Sequence, residues 1–288
     1  MRLQLVVNPA AGGGRATRLL PAVEATLAGH DLRVTPTRSL EHAEALAAEA
    51  VADDRVVVAM GGDGIVGRVA GAVAAADGVL GVLPGGRGND FARSVGIPRD
   101  VTAACAAMLT GVETRIDLGD VDGTAFIGIA SVGFDSDVQE RVLTSRLPLG
   151  QLVYLYGSLA TVASWRPATF SCTVDGAPLE VRGWSVAVAN TGVYGGGMKL
   201  APDASVTDGL LDVVSTSATS RLRFLRSLPK VFSGTHVHEE SVSVTRAREV
   251  RLDADRPFRV FADGDPVASL PCTVTVRPGA LRVLLPAR

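Results

Sequence analysis

The sequence is poor in groups that stack, cross-link or coat a polyanion. Aromatic residues are only 5% of 288 positions, which leaves few platforms for single-stranded nucleic acid. Lys and Arg number 28 against 30 Asp and Glu, a formal net charge of -2, so no nucleic acid partner is expected. The three cysteines, Cys105, Cys172 and Cys272, have neither zinc spacing nor a disulfide pattern and read as small buried hydrophobes. The four histidines form no cluster. His236 and His238 flank Val237 at strand spacing and are expected to share a face; His30 and His42 read as surface residues. No Gly-x-Ser-x-Gly elbow supports a Ser-His-Asp hydrolase. Even the apolar stretch Val66 to Pro84 is interrupted by Arg68 and Asp77, so no transmembrane segment is expected. The opening MRLQLVVNPAAGGG has too short an apolar run for a signal peptide. These absences predict a reduced, cytoplasmic protein.

Glycine is abundant, with 32 residues, many of them clustered. The apolar runs Leu3–Val7, Val56–Met60 and Val79–Leu83 read as buried strands. Each ends in a glycine-rich loop: Asn8–Gly14, Gly61–Gly64 and Gly85–Gly88. Leu32–Pro36 reads as a further strand, and Arg15–Leu27, Leu40–Ala52 (capped by Ser39) and Ile65–Ala76 as helices. Alternating strands and helices imply a Rossmann-like parallel α/β domain with its loops at one carboxyl edge. Three glycine loops there make an anion nest for phosphate. None matches an ordinary P-loop or a dinucleotide fingerprint.

Beyond about Arg115 the pattern becomes strands at short intervals, with Asp-Gly turns at Asp122-Gly123 and Asp175-Gly176. Predicted strands include Ala125–Ser131, Phe170–Val174, Ser185–Ala189, Leu211–Ser215, Val242–Val244, Val250–Leu252, Phe258–Phe261, Cys272–Val276 and Leu281–Leu285. That predicts an antiparallel β-sandwich interrupted by helical stretches at Ser136–Trp165, broken at Pro148, and Ser220–Phe232. The expected division is 1–116 and 117–288, with a tight hinge between and the last strand free to return to the first domain.

The motifs running in order along the chain resemble those of the diacylglycerol kinase catalytic-domain family. They are Asn8-Pro9 with its glycine loop, Gly61-Gly62-Asp63-Gly64, Leu83 to Arg93, Asp117, Gly133-Phe134-Asp135, Tyr194 to Met198, Ala201-Pro202-Asp203-Ala204 with Asp208 to Leu211, and Asp263-Gly264-Asp265. The resemblance implies a lipid kinase with ATP and Mg2+ in a cleft between the two domains. Its nucleotide contacts would be Asn8, Pro9, Gly12, Gly13, Thr37, Gly61, Gly62, Asp63, Gly64, Ile65, Gly67, Gly86, Arg87 and Asn89. It implies Asp63, Asp90 and Asp117 as carboxylates around the metal, and Asp265 as the base. It also implies a structural Mg2+ site at Asp203 with carbonyls near Leu200 and Ser205.

The sequence departs from that pattern in four places. The family's Asp-Gly-Glu turn is Asp263-Gly264-Asp265 here, with a carboxylate one methylene shorter. Ile65 replaces a Thr, Arg68 a Glu and Arg87 a second Thr. Arg87 and Arg68 could supply the lost phosphate contacts through charge-assisted bonds. The same departures leave open a member that only binds nucleotide or lipid; a kinase of a soluble alcohol is a further alternative. The apolar stretch Arg141–Trp165, with Val142, Leu143, Leu147, Leu149, Leu152, Val153, Tyr154, Leu155, Tyr156 and Leu159, reads as a buried helix or an acyl-chain pocket mouth. Ser220–Phe232 carries Arg221, Arg223, Arg226 and Lys230 beside Leu222, Phe224, Leu225, Leu228, Val231 and Phe232. It reads as a core-packing helix or one that lies on an anionic membrane. The expected partner is thus a lipid substrate met transiently at the inner membrane face; a homodimer stays open.

Overall fold

The structure, a computed structural model, describes residues 1–144 and 152–287, without the side chains of residues 152–156 and 159. The first half alternates strand and helix. Its elements are β1 (Arg2–Val7), α1 (Ala11–Leu27), β2 (Asp31–Pro36), α2 (Leu40–Ala52), β3 (Val56–Gly61), α3 (Asp63–Ala75), β4 (Val79–Pro84), α4 (Asp90–Ser94) and α5 (Val101–Leu109). The four strands pair in parallel in the order β4-β3-β1-β2. Leu3, Leu5, Val57, Val58, Leu80 and Leu83 are buried because helices cover both faces. Ser39 caps α2 by accepting the His42 N–H, as expected, and Asp100 caps α5 by accepting from Ala103.

The second half is mainly antiparallel. It comprises β5 (Val112–Val121), β6 (Thr124–Phe126), β7 (Ile129–Gly133), α6 (Phe134–Thr144), α7 (Leu152–Ser164), β8 (Ala168–Val174) and β9 (Ala177–Ala189). These are followed by β10 (Leu211–Ser217), α8 (Arg221–Ser233), β11 (Val242–Ala247), β12 (Glu249–Leu252), β13 (Arg259–Ala262), β14 (Asp265–Ser269) and β15 (Cys272–Leu285). β9 pairs with β8 through its first half and with β7 and β10 through its second, so it passes from one group of strands to another. The core here is aromatic: Phe134, Trp165, Trp184 and Phe224 pack under α6, α7 and α8, and Trp184 stacks on Phe224 at 3.8 Å.

One strand joins the halves. Cys272–Thr275 of β15 pairs with β12, and beyond a bulge at Gly279 its end pairs in parallel with β4. All fifteen strands thereby form one hydrogen-bonded sheet.

Three expectations need correction. Residue 116 lies inside β5 rather than at a hinge, because β5 runs unbroken along β15. The predicted strand Ala125–Ser131 is two strands; the Ile127 and Gly128 N–H groups leave the ladder to donate to the Asp263 carboxylate. His236 and His238 lie in a 3₁₀ turn (Thr235–His238) started by left-handed Gly234, so they do not share a strand face. Within the apolar stretch Arg141–Trp165, Leu147 and Leu149 lie outside the described residues, as do the side chains of Leu152, Val153, Tyr154, Leu155, Tyr156 and Leu159.

Candidate active site

The sheet order brings the loops after β1, β3 and β4 side by side at one carboxyl edge. They are packed so closely that side chains have no room. A β-carbon on Gly86 would meet Gly62 Cα and come within 2.9 Å of its nitrogen. One on Gly12 would lie 2.7 Å from the Gly85 carbonyl oxygen. Gly12, Gly13 and Gly14 are all left-handed, which turns the chain before the regular part of α1.

The donors of this nest are not all free. Gly85 and Gly86 both give their N–H to the Gly61 carbonyl, at 2.9 and 2.8 Å, and the Gly86 N–H also reaches Asn89 Oδ1. Asn89 returns its Nδ2 to the Gly86 carbonyl. The Gly86 N–H and the Asn89 side chain are thus part of the loop's own structure, while the Asn89 backbone N–H has no partner among the described residues. Among the described residues, Gly62, Asp63 and Gly64 at the start of α3, and Arg87 and Gly88, keep backbone N–H groups without a partner. Asn8 Oδ1 accepts the Ala10 N–H, leaving its Nδ2 without a partner. Thr37 anchors the end of β2 by donating its N–H to the Val7 carbonyl, and Pro9 is exposed.

Guanidinium groups surround the first loop. Arg87 is exposed, with Nη2 3.4 Å from where a β-carbon on Gly13 would stand. Arg15 donates to the Gly86 carbonyl and Arg18 to that of Gly13, each at 3.3 Å. Arg15 and Arg18 belong to none of the motifs above; their only signal in the sequence is basic residues following a glycine loop. Ile65 is 2% exposed and packs into the core against Gly61, so its side chain offers nothing to a phosphate, while its backbone N–H has no partner among the described residues.

The carboxylates divide by what they hold. Asp63 Oδ1 accepts the N–H groups of Asp90 and Phe91, at 2.6 and 3.1 Å, which caps α4. Asp90 Oδ2 accepts the Gly196 N–H at 2.7 Å, while its Oδ1 is buried without a hydrogen bond. Burial pushes the Asp90 carboxyl up, and neighbouring Asp63 adds to it. Two close carboxylates are a donor set that suits Mg2+, and the Arg93 guanidinium, with Nε 4.0 Å from Asp90 Oδ1, shares that oxygen. Asp117 is different. It is 3% exposed; Oδ1 accepts the Gly279 N–H and Oδ2 the Gly209 N–H, both at 2.7 Å. Expected near the metal, Asp117 instead ties β5 to two loops. Among the described residues no three His, Cys, Asp or Glu side chains gather as a metal cluster.

The segment expected to hold a structural Mg2+, through Asp203 and the carbonyls near Leu200 and Ser205, lies between β9 and β10. The Leu200 carbonyl faces His236 Nε2 at 3.1 Å, Ser205 Oγ bonds within its own turn to Thr207, and the Asp203 carboxylate is exposed. Arg246 already supplies positive charge here, bonding the Asp203 carbonyl and pairing with Asp212.

The Asp263-Gly264-Asp265 turn closes the other side of the site. Asp263 and Gly264 are left-handed, as a tight hairpin turn requires. Asp263 accepts from Ile127 and Gly128, each at 2.8 Å, and its carboxylate is walled in against Gly67 of α3. Burial pushes its pKa up to about 7. Asp265 faces a cavity of about 160 Å³ shared with Gly64, Gly67, Arg68, Thr124, Phe126 and Val267. Its Oδ2 lies 3.7 Å from the β-carbon position of Gly64. Thus α3 carries both a loop of the nest and one wall of the Asp265 cavity.

Comparison with known proteins places both halves of the chain in known families. Residues 2–121 match the diacylglycerol kinase catalytic domain, and residues 128–285 match the YegS C-terminal NAD kinase beta sandwich-like domain. The chain is 36% identical to a diacylglycerol kinase of Mycobacterium tuberculosis, covering 99% of this chain and 95% of that one. It is 31% identical to a diacylglycerol kinase of Bacillus subtilis, covering 94% and 91%. Against a Pseudomonas aeruginosa protein named probable lipid kinase YegS-like it is 32% identical, covering 99% and 95%. The fold resembles the crystal structure of a diacylglycerol kinase from Bacillus anthracis, with a TM-score of 0.76, 21% identity and coverage of 99% and 96%. The chain is a kinase and belongs to the diacylglycerol kinase catalytic-domain family.

Proposed function

We propose that this kinase transfers the γ-phosphoryl group of ATP to the hydroxyl of diacylglycerol or a related lipid alcohol. The observation that carries the reading is the position of Asp265, in a cavity whose opposite wall is the helix that starts at the Gly61–Gly64 loop. The free N–H groups of Gly62–Gly64, Arg87 and Gly88 hold the phosphates, helped by Asn8 and the guanidinium groups of Arg15, Arg18 and Arg87. Mg2+ would be held by Asp63 and Asp90 and would offset the charge of the triphosphate. The acceptor hydroxyl attacks the γ-phosphorus, the bond to the bridging oxygen of ADP breaks, and the Asp265 carboxylate takes the hydroxyl proton.

The cavity wall is mixed. Asp265, Arg68 and Thr124 face apolar Phe126, Pro266 and Val267. At about 160 Å³ it is below the roughly 300–1,000 Å³ of a drug-sized ligand pocket. It suits a small polar head whose acyl chains stay outside. Helix α8 supports brief contact with a bilayer through Leu222 and Phe232, which are 58% and 56% exposed, beside Arg226, while Arg223 and Lys230 pair with Glu240 and Glu239.

The test is purified protein with Mg2+, γ-labelled ATP and vesicles carrying diacylglycerol or other lipid alcohols. Label should enter lipid, and Asp265→Asn should lower turnover by about 10²–10⁴-fold while nucleotide affinity holds. Nucleotide binding without label in any lipid would leave the binding-only reading standing.

A further inference from the structure

We propose that Arg68 is a positioning residue for Asp265, holding that carboxylate toward the acceptor by charge across the cavity. The inference rests on Asp265 being the base. Arg68 stands one turn after Gly64 on α3, and Gly64, Gly67 and Arg68 together form the wall opposite β14. Its guanidinium is fixed from outside: Nη1 lies 3.2 Å from Glu44 Oε1 on α2. On the inner side Nε is shut off from solvent and has no hydrogen-bond partner. The cation is therefore neither a freely solvated surface charge nor fully engaged by Glu44.

Among the described residues, the other charges around Asp265 are negative. Glu41 on α2 acts on it from one side. Asp263 precedes it in the turn but is bonded to Ile127 and Gly128, and Asp63 acts on Asp263 from the start of α3. Burial raises the Asp265 pKa, Glu41 adds to this, and Arg68 opposes both. Without Arg68 the cavity would hold only carboxylates, and a half-buried base among them takes up a proton. Asp265 is also shorter than the Glu of the family motif. A guanidinium opposite it offers a long, forked partner, so the two departures from that motif act as one change.

The experiment follows kcat against pH, with saturating Mg-ATP and lipid, for the wild type, Arg68→Gln and Arg68→Lys, checking each fold by circular dichroism. Removing the charge should move the acidic limb to higher pH. Each unit of that movement is a tenfold loss on the limb, and the alkaline plateau should fall as well because the carboxylate is no longer held toward the acceptor, with the KM for ATP nearly kept. Arg68→Lys, which keeps the charge, should restore most of the limb. A wild-type limb in Arg68→Gln, or a lysine variant as impaired as the glutamine one, overturns the inference. Failure of the underlying reading looks different: Asp265→Asn would then turn over as fast as the wild type.

Discussion

Two carboxylates, half-buried Asp263 and buried Asp117, show how much a single residue can tie together. Asp263 is ionisable yet enclosed, with its pKa pushed up to about 7 by burial. For an acid the sign is clear: the folded state keeps the proton where the unfolded chain, with a pKa near 3.8, has lost it. Its contribution to stability is fully present below the unfolded value and declines as pH rises through about 7. The thermal midpoint of Asp263→Asn should therefore fall less between pH 4.5 and 7.5 than that of the wild type; parallel curves would exclude this residue as the source. Asp117 has both oxygens on glycine N–H groups. Asparagine would turn an NH2 group toward one of them, and an unsatisfied buried donor costs about 1–3 kcal/mol. Asp117→Asn should lower the Tm by several degrees while calorimetric Mg-ATP affinity of the folded protein is kept. Lost affinity at an unchanged Tm would return Asp117 to the metal site.

At the scale of elements, the glycine loops depend on close approach rather than on composition. Gly86→Ala would press its methyl group onto Gly62 Cα and force the second and third loops apart. Such overpacking costs about 1–3 kcal/mol, and Mg-ATP affinity should fall at least tenfold. Gly71→Ala, on α3, would make ordinary contact at 3.5 Å with Ala125 and should be tolerated, because alanine is the better helix former by about 1 kcal/mol. Equal nucleotide affinity in both variants would show that the loops tolerate separation. The same contrast explains which features were legible in the sequence. β1, β3 and β4 were readable because buried parallel strands are apolar throughout, and α2 because Ser39 marks its start. β5, VETRIDLGDV, was not. Its first four residues face outward and the rest inward, so it shows neither clean alternation nor an apolar run. Asp63, Asp90 and Asp265 stand out in the sequence through motif order. Their division into helix cap, proposed metal donors and cavity wall depends on which backbone amides lie nearby, and no spacing encodes that.

At the scale of the whole molecule, the two halves have separate hydrophobic cores. They nevertheless share more than a linker. β15 borders β12 and β5 at its start and β4 at its end, so pulling the halves apart would break backbone pairing as well as side-chain contacts. Polar ties cross the same boundary: Asp90 accepts from Gly196, and the Arg93 guanidinium lies against Gly197. A buried strand that loses its neighbour exposes unpaired amides, so neither half can retain β15 alone without cost. The expectation is one cooperative unfolding transition, although a chain of this length could otherwise unfold in two steps. The chain supplies its own reporter, since both tryptophans, Trp165 and Trp184, lie in the core of the second half. Nucleotide binding reports on the loops of the first. In a urea series, tryptophan fluorescence and retained Mg-ATP binding should fall at the same midpoint, and Leu281→Asp in β15 should lower both together. Leu281 is fully buried in the first core, so a charge there removes the strand's anchor to that half. Fluorescence that outlasts nucleotide binding over a broad range of urea would mean that the halves unfold independently despite their common strand.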